Sequence, residues 1–238
     1  MRQIKHWVMG FGIGALLALG LAMPASAQPS PNPGDMVLGK DDAPVTVIEY
    51  ASLTCPHCAH FHEEVWPELK KQYIDTGKIK FIYRDFPLDE AAMRGSQLAR
   101  CKGDTASFYA FADILFTQQR TWATQAWADN LAQIARLGGI GADQFKACMN
   151  DKALSDSILK SRLDAQNKYA VSGTPTLIVN EKNVGSPATF EDMRKAIDAV
   201  LPRGTASAAP TVTTTATATP AKVEPQGVWA RIKSWFGS

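Results

Sequence analysis

The 238-residue sequence predicts an α/β domain in which a helical insertion separates a β-α-β half from a β-β-α half. Three observations carry this. A β-branched run, Val45-Thr46-Val47-Ile48-Glu49-Tyr50, leads almost directly into a helical period that opens at Pro56. Strand signal then disappears between about residues 88 and 170, where only helical periods are found. It returns at Thr176-Leu177-Ile178-Val179, just after Gly173-Thr174-Pro175.

Before the domain, residues 1–27 read as a secretory signal peptide. Arg2 and Lys5 form a positive start, Val8 to Met23 an apolar run, and Ala25-Ser26-Ala27 a small-residue cleavage site. Cleavage would place the chain in an oxidising, periplasmic compartment. An uncleaved anchor is the alternative, although the run is short and broken by glycine. Without Arg2 and Lys5 the 25 basic residues become 23, equal to the 23 acidic ones. No basic field remains to suggest nucleic acid.

Residues 28–35 are a proline-rich lead-in, and 36–202 form the domain. Met36 to Leu38 suits a short edge strand. The near-continuous apolarity of 45–50 suits a buried central one. Phe61, Val65, Leu69 and Tyr73 recur at spacing four and make one helical stripe, inside which Pro67 should kink or end the helix. Gly77 stops it. Ile79 to Phe86 alternates apolar residues with Lys80 and Arg84 and reads as a strand. Helices are expected over 89–101, 105–119, 124–137 and 143–169. Asn180 to Asn183 make a hairpin turn, with Val184 on the return strand. Thr189 followed by Asp192 reads as a capping-box variant opening a last helix that runs to about Leu201.

Residues 203–226 are rich in Ala, Thr and Pro, which suits a flexible linker. The tail 227–238 is different. Val228, Ile232, Trp235 and Phe236 share one helical face, with Arg231 and Lys233 off it. So short a helix is marginal alone in water, and contact with a membrane surface would suit it. Loose docking on its own domain is the bland alternative.

Chemistry concentrates in Cys55-Pro56-His57-Cys58. A cysteine at a helix start meets unpaired backbone N–H groups and the positive end of the dipole, which favour a thiolate. Pro56 suits the first turn because its missing N–H would have had no partner. His57 can add a donor or a positive charge. Stabilising the reduced thiolate makes the corresponding disulfide more oxidising.

Other uses of the pair fit less well. Zinc normally needs a second ligand pair, and only His57, His60 and His62 lie near. Haem attachment needs His after the second Cys, where Ala59 stands. A purely structural Cys55–Cys58 disulfide is the blandest reading. His60 and His62 read as solvated or packing residues. Cys101 and Cys148, 47 residues apart, read as a structural disulfide. A loop that long is worth about 4 kcal/mol in chain entropy. Buried free thiols or a regulatory disulfide are the alternatives.

The stretch Glu49-Tyr-Ala-Ser-Leu-Thr-Cys55-Pro-His-Cys58, with Gly173-Thr-Pro175-Thr far downstream, resembles the DsbA-like thiol–disulfide oxidoreductase family over about residues 36–202. The resemblance implies a thioredoxin fold with its helical insertion at about 88–170. It implies a cis Pro175 facing the sulfurs, backbone at Thr174 that pairs with substrate, and Glu49 as a proton relay to Cys58. An exposed edge charge is the bland reading of Glu49. It further implies reduced exported polypeptides as substrates, a DsbB-type membrane reoxidant, no dissociable cofactor and no metal. A reductase or isomerase using the same residues, or a peptide-binding chaperone or maturation factor, are the alternatives. The family is silent on 227–238.

Overall fold

Five strands order as β1-β3-β2-β4-β5 in the computed structural model, which describes residues 31, 32 and 34–202. The expected signal peptide (1–27), linker (203–226) and tail (227–238) lie outside the described residues, as does part of the lead-in. Strand β1 is Met36–Leu38, β2 Val45–Ala51, β3 Ile79–Asp85, β4 Thr176–Val179 and β5 Lys182–Gly185. Strand β2 runs parallel to β3 and antiparallel to β4, and β1 and β5 are antiparallel edges. The β-α-β and β-β-α halves thus share one sheet with β2 at its centre.

Every residue of β2 is buried, so both sheet faces are covered. Val45, Val47 and Ala51 join the larger core, against the helix that follows β2. Ile48 and Tyr50 point the other way, into a smaller cluster with Phe86, Ala165, Tyr169 and Ile178. Strand β3 is also buried throughout, including Lys80 and Arg84. Arg84 is held by Asp35 at 2.7 Å and by the Tyr50 hydroxyl at 3.0 Å. A buried guanidinium needs such partners. The lead-in is therefore strapped to the sheet at Asp35.

Of the two expectations at Pro67, a kink or an end, helix α1 excludes the end. Segments Pro56–His60, Phe61–Val65, Trp66–Leu69 and Lys70–Ile74 follow one another without a break and together form α1. Just before the proline, the Trp66 N–H reaches back five residues to the Phe61 carbonyl. A second such turn closes with the Asp75 N–H on the Lys70 carbonyl. Widened turns of this kind accommodate a residue that lacks an N–H, so the helix continues where a strict α-helix would break. Gly77, at φ +74°, then ends the helical run.

The insertion comprises α2 (Glu90–Arg100), α3 (Thr105–Thr117), α4 (Gln119–Trp122), α5 (Trp127–Leu137), α6 (Ala142–Met149) and α7 (Lys152–Tyr169). The stretch 143–169, expected as one helix, is two. Asp151 accepts a hydrogen bond from the Leu154 N–H and starts α7 as its N-cap. A disulfide joins Cys101, at the end of α2, to Cys148 in α6, with the Cα atoms 5.7 Å apart. Gln97 from α2 reinforces this junction, donating to the Cys148 carbonyl at 3.1 Å. Helix α8, Phe190–Asp198, opens with the full reciprocal box between Thr189 and Asp192. No helix among the described residues is long and apolar enough to cross a membrane.

One close approach in the insertion predicts a stability effect. A Cβ on Gly138 would lie 2.3 Å from a ring carbon of Phe111, which is fully buried and cannot swing away. Gly138→Ala is therefore expected to lower stability by about 1–3 kcal/mol, the usual cost of overpacking. Urea unfolding measures this directly, and an unchanged midpoint would contradict it.

Candidate active site

The tight turn 52–55 carries the chain from β2 into α1, and side chains hold it from several sides. Gln119 of α4 donates to the carbonyls of Leu53 at 2.8 Å and Cys55 at 3.0 Å. Ser52 Oγ accepts from the Leu88 N–H, and Thr54 donates to Asp89 at 2.7 Å. Cys55 occupies the N-cap position with extended backbone, and Pro56 follows in the first turn. The helix start thus aims its free N–H groups at the Cys55 sulfur.

Cys55 and Cys58 are both present as thiols. They differ sharply in acidity. Cys55 is lowered from 9.0 to about 5, mainly by a hydrogen bond from the Cys58 thiol. Burial opposes the shift, and Thr174 and the backbone N–H groups of Cys58 and His57 add to it. Cys58 has no exposure and is pushed well above its ordinary value. Burial is the largest cause, followed by the neighbouring Cys55 and the charge of Glu49. Cys55 is therefore the readily ionised sulfur of the two, and Cys58 the one held protonated.

The loop before β4 completes the site. The Thr174–Pro175 peptide is cis, and the Thr174 carbonyl oxygen lies 3.3 Å from Cys55 Sγ, placed to accept the thiol proton. The loop comes near because β4 pairs with β2, with Thr176 opposite Tyr50. Residues 119 positions apart in the chain therefore meet.

Glu49 is not an edge charge. It lies on the central strand with no exposure, and its Oε2 is 2.9 Å from His62 Nε2. Of the two readings of His62, solvated or packing, the second holds: it is buried and stacked on Phe116 with ring centroids 4.0 Å apart. His57 and His60 are exposed. Cys101 and Cys148 lie in the insertion, bonded to each other and apart from this constellation. Two residues of the site, Gln119 and His62, carried no motif in the sequence. Both are polar residues buried by tertiary packing, and for Gln119 no sequence signal exists. For His62 the signal available was its spacing of four from Cys58, one turn along α1.

A family model described as Thioredoxin matches residues 31–199. Disulfide bond formation protein D of Bacillus subtilis is 31% identical over 183 residues, covering 74% of this chain and 81% of that protein. The crystal structure of Wolbachia pipientis alpha-DsbA1 matches with a TM-score of 0.67 and 33% identity, over 71% of this chain and 92% of that one. The chain belongs to the DsbA-like family of thioredoxin-fold proteins. A Rickettsia felis protein, bearing the inferred name protein-disulfide oxidoreductase, is 38% identical over 168 residues and 70% of this chain. The DsbA-like chain spans only about three fifths of that relative, 60% of its length. Within the DsbA-like fold, the helical insertion sits between β3 and β4 as the sequence resemblance implies, and α4 contributes Gln119 to the turn that carries Cys55.

Proposed function

We propose that the protein is a periplasmic thiol–disulfide oxidoreductase that donates the Cys55–Cys58 disulfide to reduced exported polypeptides. The observation that carries this reading is the opposed acidity of the two thiols at one helix start. A substrate thiolate attacks Cys55 Sγ, and the Cys55–Cys58 bond breaks with Cys58 leaving. A second substrate thiolate then attacks the substrate sulfur of the mixed disulfide. Cys55 departs as a stable thiolate, and the substrate is released oxidised. Easy departure of Cys55 drives transfer outward to the substrate.

The remaining roles follow from position. The substrate chain pairs with backbone at Thr174, which brings its sulfur beside Cys55. Pro175 shields the sulfur pair from metals and competing thiols. The exposed His57 meets the substrate at the mouth of the site. Glu49, whose charge acts on Cys58, exchanges a proton with it. A DsbB-type membrane protein returns the pair to the disulfide, and contact of the tail with a membrane surface would keep the two close.

Equilibrium titration against reduced and oxidised glutathione tests the direction. The expected potential lies above about −200 mV, in the oxidising range. A value near about −270 mV, where thioredoxin lies, would instead assign a reductase with the same residues. Activity that survives Cys55→Ser in cells would point to a chaperone.

A further inference from the structure

The buried Glu49–His62 pair is not explained by stability alone. Two ionisable groups taken from water cost several kcal/mol each, repaid only when every polar atom finds a partner. Here one does not. Glu49 Oε2 is engaged by His62, whereas Glu49 Oε1 is buried with no hydrogen-bond partner among the described residues. The imidazole is also held firmly. Phe116 stacks on it, Trp66 lies 5.5 Å away by ring centroids, Tyr83 6.4 Å, and Phe61 meets it edge-on at 5.7 Å. Cys58 lies one helical turn back on α1, on the same side as His62. The titratable groups around the pair are Cys58 from α1, Tyr83 from β3 and Tyr109 from α3. Both tyrosines feel the Glu49 charge, and Arg100 from α2 acts on both with the opposite sign. Both tyrosines are held well above the ordinary range by burial, so neither titrates near neutral pH.

We propose that His62 is a positioning residue for proton transfer at Cys58: its Nε2–H holds Glu49 Oε2, so that the exchanged proton is carried on Oε1. This rests on the thiol–disulfide exchange proposed above. When a mixed disulfide on Cys55 is resolved, the Cys58 Sγ–H proton passes to Glu49 Oε1. The sulfur electron pair attacks Cys55 Sγ, the Cys55–substrate S–S bond breaks, and the substrate sulfur leaves with the bonding pair. Solvent protonates it. In donation the order reverses, and the departing Cys58 sulfur takes its proton back from Oε1. Without the imidazole donor, Glu49 loses its contact on Oε2, and Oε1 is no longer held in place to receive the Cys58 proton.

Glutathione separates the steps. Reduced protein mixed with excess oxidised glutathione reacts first at Cys55, at a rate set by glutathione concentration. Resolution by Cys58 then follows as a first-order step. His62→Leu should leave the first step unchanged. It should slow the second about tenfold at neutral pH. His62→Gln, whose amide reaches the same point as Nε2, should restore the second step to within about threefold of wild type. His62→Asn is too short and should behave like His62→Leu, so the comparison stands even if the leucine variant does not fold. A wild-type rate of the second step in folded His62→Leu or His62→Asn overturns the proposal. So does a His62→Gln rate as slow as theirs. Failure of wild type in the first step would sink the oxidoreductase reading itself, a distinct result.

Discussion

Reduced protein titrated between pH 9 and pH 3 is expected to keep a thiolate at Cys55 down to a midpoint of about 5. Thiolate absorbance reports it, and Cys55→Ser identifies the group. Cys55 is 6% exposed, so its shift is a property of the fold more than of bulk solvent. The folded value lies below the ordinary 9.0, so the stabilisation of the reduced form is complete above pH 9 and lost as pH falls through 5. At pH 7 about half of it remains, roughly 3 kcal/mol. Cys58 is protonated at pH 7 folded or unfolded, so it adds nothing to this slope there. The disulfide form has no thiol to titrate at either position. The same roughly 3 kcal/mol therefore makes the pair more oxidising by about 60 mV than one with an ordinary nucleophile. Reduced protein should lose stability against urea from pH 8 to pH 5, and oxidised protein should show no matching loss. A Cys55 midpoint near 9 would remove the physical basis of the donor reading.

The second large effect lies away from the site. Replacing Cys101 and Cys148 together by alanine should cost about 4 kcal/mol of stability, because the bridge closes a loop of 47 residues in the unfolded chain. The Cys55 titration should not move, since none of the groups that lower it belongs to the α2–α6 junction. Denaturant midpoints of wild type and double variant, both with the active-site pair reduced, measure the cost. A loss below about 1 kcal/mol would mean that the hydrogen bonds of Arg94 and Gln97 to this junction hold it without the bridge. A shifted Cys55 midpoint would make the bridge a regulator of the site.

Several expectations and their departures share one cause. Pro67 does not end the helix, because α1 lies along the sheet with Phe61, Val65 and Leu69 buried, and two widened turns keep that face in contact. Asp151 was locally readable as a cap, but the helical period on either side concealed the break. Lys80 and Arg84 looked like the wet face of a strand. They are buried because the strapped lead-in and α7 cover that side, as the Asp35–Arg84 pair and the packing of Tyr169 show.

The sequence by itself determined the features that depend on neighbours along the chain. These are the strand entering a helix at Cys55, the proline that suits its first turn, the Thr189–Asp192 box, and the interruption of strand signal by helices. Backbone propensity, capping and side-chain period are short-range effects, so they are written in consecutive residues. Tertiary structure decided what depends on closure of the sheet. Pairing of β4 with β2 brings Thr174 to 3.3 Å from Cys55 Sγ. Packing of α1 and α3 over β2 seals His62 against Glu49 and leaves one carboxylate oxygen without a partner among the described residues. Burial and partnership set the acidity of each group in the site, and both arise only when residues distant in the chain exclude water from between them.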